Sequence, residues 1–382
     1  MFKRIKMLLK SIIFSFITIL ISSSSKIKPT SILLIRLDAI GDYVLFRNYI
    51  EELRKNEKYK NHSITLVGNI AWKSISEELD AEFVNKFIWL DRNKFTRNFL
   101  YRYKKLREIT SQGYELVLSP VYSREFFYGD FLVHIVNAKQ KIGSMGDLSN
   151  ITKWQKNISD KYYDRLIDAD SRVLFEFDRN KEFFENFLLD KIDLQSPHIS
   201  LPSLILPYKL PDNYAVIFIG ASKSYRKWDV MKFVQIASFL KDKYCYEIIL
   251  CGGPSDKEDA EIFKNNCQFP FLDLVGKTTL MELLYVIDNG SLIVSNETSA
   301  PHFGITLGMK NVFVIYNGKH YGRFTPYPQN ITENYHVIYH PEIESNLTSY
   351  EKLSNNYDFD SHLDINQIMI DSVRNKIASV LG

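Results

Sequence analysis

Four short stretches carry residues able to do chemistry. The first is Asp38-Ala39-Ile40-Gly41-Asp42. An apolar run precedes it and a helical pattern follows, so it reads as a strand-to-helix turn in which Gly41 permits a tight backbone path. Asp42 stands at the helix start, on the side where substrates of such folds collect. A carboxylate there either takes a proton from an attacking hydroxyl as a general base or caps the helix by accepting its N–H groups. The second stretch is Gly220-Ala221-Ser222, followed by Lys223, Arg226 and Lys227 just before Trp228. Small residues, a hydroxyl and cations ahead of a helix suit a diphosphate; they equally suit a solvated basic loop.

The third stretch, Cys251-Gly252-Gly253-Pro254, lets a ligand come close to the backbone or makes a plain turn. The fourth, Asn296-Glu297-Thr298-Ser299, opens the helix that carries His302. Backbone N–H groups at a helix N-terminus suit a phosphate, and the alternative is a capping cluster with Thr298 or Ser299 as cap. Three such stretches at strand ends of one domain point to one shared nucleotide pocket.

Other signatures fail. Gly276-Lys277-Thr278-Thr279 resembles the end of a phosphate-binding P-loop, but Phe271 stands where that pattern needs glycine. No G-x-G-x-x-G opens either half, which weakens a nicotinamide-dehydrogenase reading. Asp168-Ala169-Asp170 and Asp358-Phe359-Asp360 have D-x-D spacing but follow no clear strand, and no histidines have zinc-ligand spacing. They read as solvated loops, and no metal site is expected.

The elements that must position these stretches form two alternating series. Strands are expected at Ser31–Leu37, Ser63–Gly68, Phe87–Leu90 and Tyr114–Ser119, with helices from Asp42 to about Asn56, at Ile70–Leu79 and at Arg97–Ser111. Residues 143–212 are less regular, with a helix at Asp168–Leu189 and three prolines, Pro202, Pro207 and Pro211, marking a connection. The second series runs from a strand at Tyr214–Ile219 to a strand at Asn311–Tyr316, and an amphipathic helix at Ile365–Leu381 closes the chain. Strands separated by helices indicate parallel sheets with crossover connections.

At 382 residues, the chain is long enough for about two domains. Residues 1–28 hold six cations and no acid, so with a total of +3 the remaining 354 residues sum to +3 − 6 = −3. A mildly acidic body is not that of a nucleic-acid binder. The leader's uncharged stretch, Ser11 to Ser25, falls short of the roughly 20 residues of a spanning helix and lacks an A-x-A cleavage site. A helix lying on a membrane fits best, its lysines drawn to anionic lipid; a signal-peptide core and a helix docked on the body are the alternatives. Three cysteines, Cys245, Cys251 and Cys267, suit no simple disulfide framework and read as reduced.

Taken together, the stretches resemble a known family. Ile32-Leu33-Leu34-Ile35-Arg36-Leu37-Asp38-Ala39-Ile40-Gly41-Asp42 is similar to the N-terminal signature of family 9 glycosyltransferases, the heptosyltransferase group. Gly220-Ala221-Ser222 through Arg226-Lys227-Trp228, Gly252-Gly253-Pro254, Gly276-Lys277-Thr278-Thr279-Leu280 and Asn296-Glu297-Thr298-Ser299-Ala300-Pro301-His302 resemble its later blocks in order, over about residues 31–330. The resemblance implies an α/β chain with a GT-B fold, two Rossmann-like doubly wound domains facing across a cleft. It divides the chain into the leader 1–28, an acceptor-binding domain 29–205 and a nucleotide-sugar-binding domain 206–382, whose final helix returns to the first domain.

The implied reaction is an inverting transfer from a nucleotide-activated sugar of the ADP-heptose type to a lipopolysaccharide core or related envelope glycan. It uses no metal or cofactor, and the nucleotide-sugar is a substrate. Asp42 matches the general base. Gly41, Ser222, Arg226, Lys227, Gly252, Gly253, Lys277, Thr278, Glu297, Thr298, Ser299 and His302 match the donor-binding positions. Arg226 stands where many members have a phosphate-binding lysine, Glu297 where the usual residue is Asp, and Ser299-Ala300 where a Gly-Pro pair is usual. The implied partners are the donor, a lipid-linked glycan acceptor and the inner-membrane surface, to which a cytoplasmic enzyme would bind peripherally. A sugar-nucleotide epimerase or dehydrogenase and a non-catalytic glycan-assembly protein are the rival classes.

Overall fold

A computed structural model of the chain describes residues 25–354, 361 and 363–382. The leader as far as residue 24 lies outside the described residues, as does the Asp358-Phe359-Asp360 pair. Ile27 and Lys28, counted with the leader on charge, instead begin the first strand.

Among the described residues, twelve strands form two sheets of six. The first holds β1 (Ile27–Arg36), β2 (Ser63–Asn69), β3 (Lys86–Leu90), β4 (Gly113–Ser119), β5 (Ala138–Ser144) and β6 (Arg165–Ile167), in the order β3-β2-β1-β4-β5-β6. The second holds β7 (Tyr214–Phe218), β8 (Glu247–Cys251), β9 (Leu272–Asp273), β10 (Leu292–Asn296), β11 (Val312–Tyr316) and β12 (Tyr335–Tyr339), in the order β12-β11-β10-β7-β8-β9. Numbered within itself, each sheet reads 3-2-1-4-5-6, the doubly wound nucleotide-binding order. All pairings are parallel. Strands β7, β10 and β11 are buried at every position, as helix-covered parallel sheets require.

The chain divides into two compact units. One runs to Ala39 and adds Tyr49–Ala169 and Arg179–Ile192; the other takes Ile40–Asn48, Asp170–Asp178 and everything from Asp193. The small piece Ile40–Asn48 carries Gly41 and Asp42 into the second unit.

The second core is built from Ile217, Leu250, Val294 and Phe313 on strands and Phe233, Ile236 and Leu240 on the helix Val230–Tyr244. Val373 and Ile377 of the final helix, Ile370–Leu381, lie in this same core. Among the described residues, no helix is long and apolar enough to cross a membrane.

Candidate active site

In each doubly wound sheet the strand order reverses beside the first strand, and ligands collect beyond the carboxyl ends at that point. In the second sheet the reversal lies between β7 and β10. The loop leaving β7 runs from Gly220 to Lys227, and the loop leaving β10 is Glu297-Thr298. Both expected stretches therefore border one crevice.

Three side chains tie this crevice together. Asn296 is buried; its Oδ1 accepts from the Trp228 N–H at 3.0 Å and its Nδ2 donates to the Ile219 carbonyl at 3.0 Å. Arg226 crosses the crevice to form an ion pair with the Glu297 carboxylate, and its Nη2 donates to the Glu297 carbonyl at 2.6 Å. An amide and a salt bridge thus hold the β7 loop against the β10 loop. The paired larger side chains, Arg226 and Glu297, meet each other directly here.

Asp256 organises the neighbouring loops. It is 3% exposed, and its Oδ2 accepts from the Gly253 N–H at 2.8 Å. A Cβ at Gly220 would stand 2.5 Å from that oxygen, and one at Gly252 3.2 Å from it. Glycine at these positions makes room for the protein's own carboxylate. Lys227 neutralises this carboxylate at 2.5 Å and also reaches Asp259 at 2.7 Å. Burial works against the Lys227 charge, but the two carboxylates outweigh it and hold the ammonium above its ordinary range. Lys227, one of the cations expected beside the diphosphate, thus clamps this loop through two carboxylates.

Lys277 and Thr278 stand apart from the crevice residues in their bonding. Lys277 pairs with Asp273 at 2.5 Å on an exposed turn. The neighbouring Thr279 caps the helix Leu280–Asp288 in a reciprocal bond with Glu282, which explains the P-loop-like spelling as a capping box. Gly276 has φ +65°, and its N–H donates to the Gly252 carbonyl at 3.0 Å, so this turn braces the Gly252-Gly253 loop.

The helix Ser299–Thr306 supplies the other wall. Thr298 occupies its cap position in extended geometry, but its hydroxyl makes no capping bond. First-turn N–H groups of a helix have no partner inside that helix, and Thr298 and Ser299 are half-exposed beside them.

His302, one turn further along, is 2% exposed. Burial pushes its imidazole down to about 3, and the Arg226 charge adds to the shift. Its Nδ1 lies 2.8 Å from the Tyr327 hydroxyl. Burial holds the Tyr327 phenol well above its usual range, so the contact joins two neutral groups, and the tautomer of the ring sets which of them donates. The other ring nitrogen of His302 is Nε2.

That nitrogen faces the first stretch. A Cβ on Gly41 would lie 3.1 Å from His302 Cδ2 and 3.6 Å from Nε2, so glycine here is a packing requirement. The short helix Ile40–Val44 packs on the helix Ser299–Thr306 through this contact. Asp42, half-buried, is its third residue and lies in its first turn. A cap residue precedes the helix, so Asp42 is not the N-cap that the sequence left open. Anchors on both sides fix the turn. Leu37 and Asp38 carbonyls accept from Arg92 at 2.8 Å and from Asn69 at 3.0 Å, while the Arg47 guanidinium and the Asn48 amide bind the His198 carbonyl at 2.9 and 3.1 Å.

Sequence reasoning missed Asp256 and Tyr327. The first had a signal, an acid at a helix start just after Gly-Gly-Pro; Tyr327 had none, because only the fold brings it to His302. Among the described residues, no three His, Cys, Asp or Glu side chains gather as a metal site.

Comparisons with known proteins agree with this geometry. A search of curated proteins returns no match. Among solved structures, the glycosyl transferase family 9 protein from Veillonella parvula DSM 2008 superposes with a TM-score of 0.69 at 16% identity, covering 93% of this chain and 98% of that one. The E. coli heptosyltransferase WaaC with ADP gives 0.67 at 15% identity over 91% and 99% of the two chains. The E. coli ADP-heptose lps heptosyltransferase II gives 0.65 at 15% identity over 92% and 98%. At these identities the likeness shows the fold, GT-B with two Rossmann-like sheets. The sequence model described as glycosyltransferase family 9 (heptosyltransferase) matches residues 102–353, well over half of the chain. The chain therefore belongs to glycosyltransferase family 9 and is a glycosyltransferase.

Proposed function

We propose that this glycosyltransferase moves a heptose or similar sugar, with inversion and without a metal, from an ADP-linked donor to a lipopolysaccharide core or related lipid-linked envelope glycan. The observation that carries the reading is the seating of Gly41 against His302, which brings Asp42 into the unit that holds the Arg226–Glu297 crevice. The two similar E. coli structures, a heptosyltransferase with ADP and an ADP-heptose heptosyltransferase, support the choice of donor.

In this mechanism Asp42 takes the proton of an acceptor hydroxyl. The hydroxyl oxygen bonds to the anomeric carbon as the bond from that carbon to the diphosphate oxygen breaks on the opposite face. The electron pair leaves with the nucleoside diphosphate. Arg226, Ser222, Thr298, Ser299 and the N–H groups opening the helix Ser299–Thr306 meet the charge that grows there, and donors already fixed in place cost no reorganisation at that moment. The reaction would run at the cytoplasmic face of the inner membrane, with the basic leader on the lipid surface.

A thermal-shift panel of ADP, UDP, GDP and CMP tests the donor site. ADP is expected to stabilise the chain most, by about 2.7 kcal/mol at a hundredfold excess over its Kd. A larger shift with a nicotinamide dinucleotide, or none with any nucleotide, would remove the proposal.

A further inference from the structure

We propose that the helices Arg92–Arg97 and Phe99–Ile109 of the first unit form a docking surface for an anionic lipid bilayer, separate from the leader. Residues 92–108 hold seven cations, Arg92, Lys94, Arg97, Arg102, Lys104, Lys105 and Arg107, against one acid, Glu108, a net +6. The leader is also +6, so the rest of the chain sums to +3 − 6 − 6 = −9. The body is therefore an acidic protein with one concentrated basic segment.

The structure sorts these cations by task. Arg92 reaches the Glu125 carboxylate at 2.6 Å, and Arg102 is buried with its guanidinium 4.3 Å from the Phe95 ring and 4.8 Å from the Phe131 ring. Lys105 pairs with Glu108 at 2.8 Å. The outward cations are Lys94, Arg97, Lys104 and Arg107, all exposed. Lys94 touches Asp91 only at 3.7 Å, and Arg97, Lys104 and Arg107 have no ion-pair partner among the described residues.

Large apolar side chains sit among them. Asn98 ends one helix and caps the next, its side chain accepting from the Tyr101 N–H, which starts the second helix with Phe99 and Leu100. Phe99 is 47% exposed and Leu100 68%. The helix buries Arg102, Leu106 and Ile109 on its inner stripe. Leu100, Lys104 and Arg107 recur at spacings of four and three on the opposite side. Nothing in the helix needs an exposed Phe-Leu pair in its first turn.

One partner uses both features. At a bilayer interface, apolar tips enter the acyl boundary while lysine and arginine meet headgroup phosphates. A nucleic acid would serve the cations but leave Leu100, which has no stacking face, in water. The inference does not rest on the transfer chemistry, and its failure would leave donor binding untouched.

The test uses the full chain with vesicles of phosphatidylglycerol or of neutral phosphatidylcholine. Leu100→Trp places a fluorophore on the surface, where the exposed position should tolerate it. Its emission is expected to shift to the blue on phosphatidylglycerol vesicles and to be quenched by brominated acyl chains, with no change on neutral ones. The triple variant Arg97→Glu/Lys104→Glu/Arg107→Glu, with unchanged circular dichroism, is expected to lose about 100-fold in partition to the anionic vesicles. Binding of the Leu100→Trp chain without a shift would assign all membrane contact to the leader and overturn the proposal. So would unaltered partition of the triple variant, or tighter binding of the wild-type chain to a single-stranded oligonucleotide than to the vesicles.

Discussion

Asp42→Asn is expected to lower the rate of sugar transfer by about 100- to 10,000-fold, the usual contribution of a positioned general base. ADP should still raise the melting temperature of this variant as it does that of the wild-type chain. Asparagine has nearly the same shape as aspartate but cannot take the hydroxyl proton. The Gly41 contact with His302, which seats the turn, does not involve the carboxylate. A variant with near-normal transfer would return Asp42 to a purely structural role. The outcome to watch is therefore the split between transfer and nucleotide binding.

Arg226→Met should have two large consequences that can be separated. The Glu297 side chain is 9% exposed, and losing its ion-pair partner should destabilise the fold by about 3–5 kcal/mol. The stabilisation by ADP should also disappear, because the variant lacks the cation proposed to meet the diphosphate. Replacing both partners, Arg226→Met with Glu297→Gln, removes the uncompensated charge and should regain most of the lost stability in urea denaturation. It should not regain the response to ADP. If the double variant responds to ADP like the wild type, Arg226 is only a clasp between two loops.

The two sheets were largely legible in the sequence because their central strands are short continuous apolar runs bounded by turn residues. Tyr214–Phe218, Leu292–Asn296 and Val312–Tyr316 are buried throughout and read directly. Strands toward one edge of each sheet were not, whereas the opposite edge strand β3 was expected at Phe87–Leu90. β5 begins Ala-Lys-Gln-Lys with its first residues exposed, β6 has only three residues, and β12 is half-polar in its burial. The helix expected at Arg97–Ser111 is broken at Asn98, a capping residue whose effect periodicity does not register.

At the site, the glycine and hydroxyl stretches were legible as loops that follow strand ends. The tasks of the charged residues were not. Lys227 looks like a phosphate cation until folding brings Asp256 and Asp259 to it, and Lys277 until Asp273 meets it across one turn. The seating of Gly41 on His302 joins residues far apart in the chain, and no local pattern announces it. Sequence pattern located the loops, while the carboxylate partners of Arg226, Lys227 and Lys277 came to light only in the fold.

The anomeric configuration of the product tests the central claim most directly. The wild-type chain would be given an ADP-linked sugar of defined configuration and a lipopolysaccharide-core acceptor, with a chelator present throughout, and the new linkage read by proton NMR. Direct displacement assisted by Asp42 predicts acceptor-dependent release of ADP and a linkage inverted relative to the donor. A product of retained configuration, or transfer that stops when the chelator is added, would contradict it.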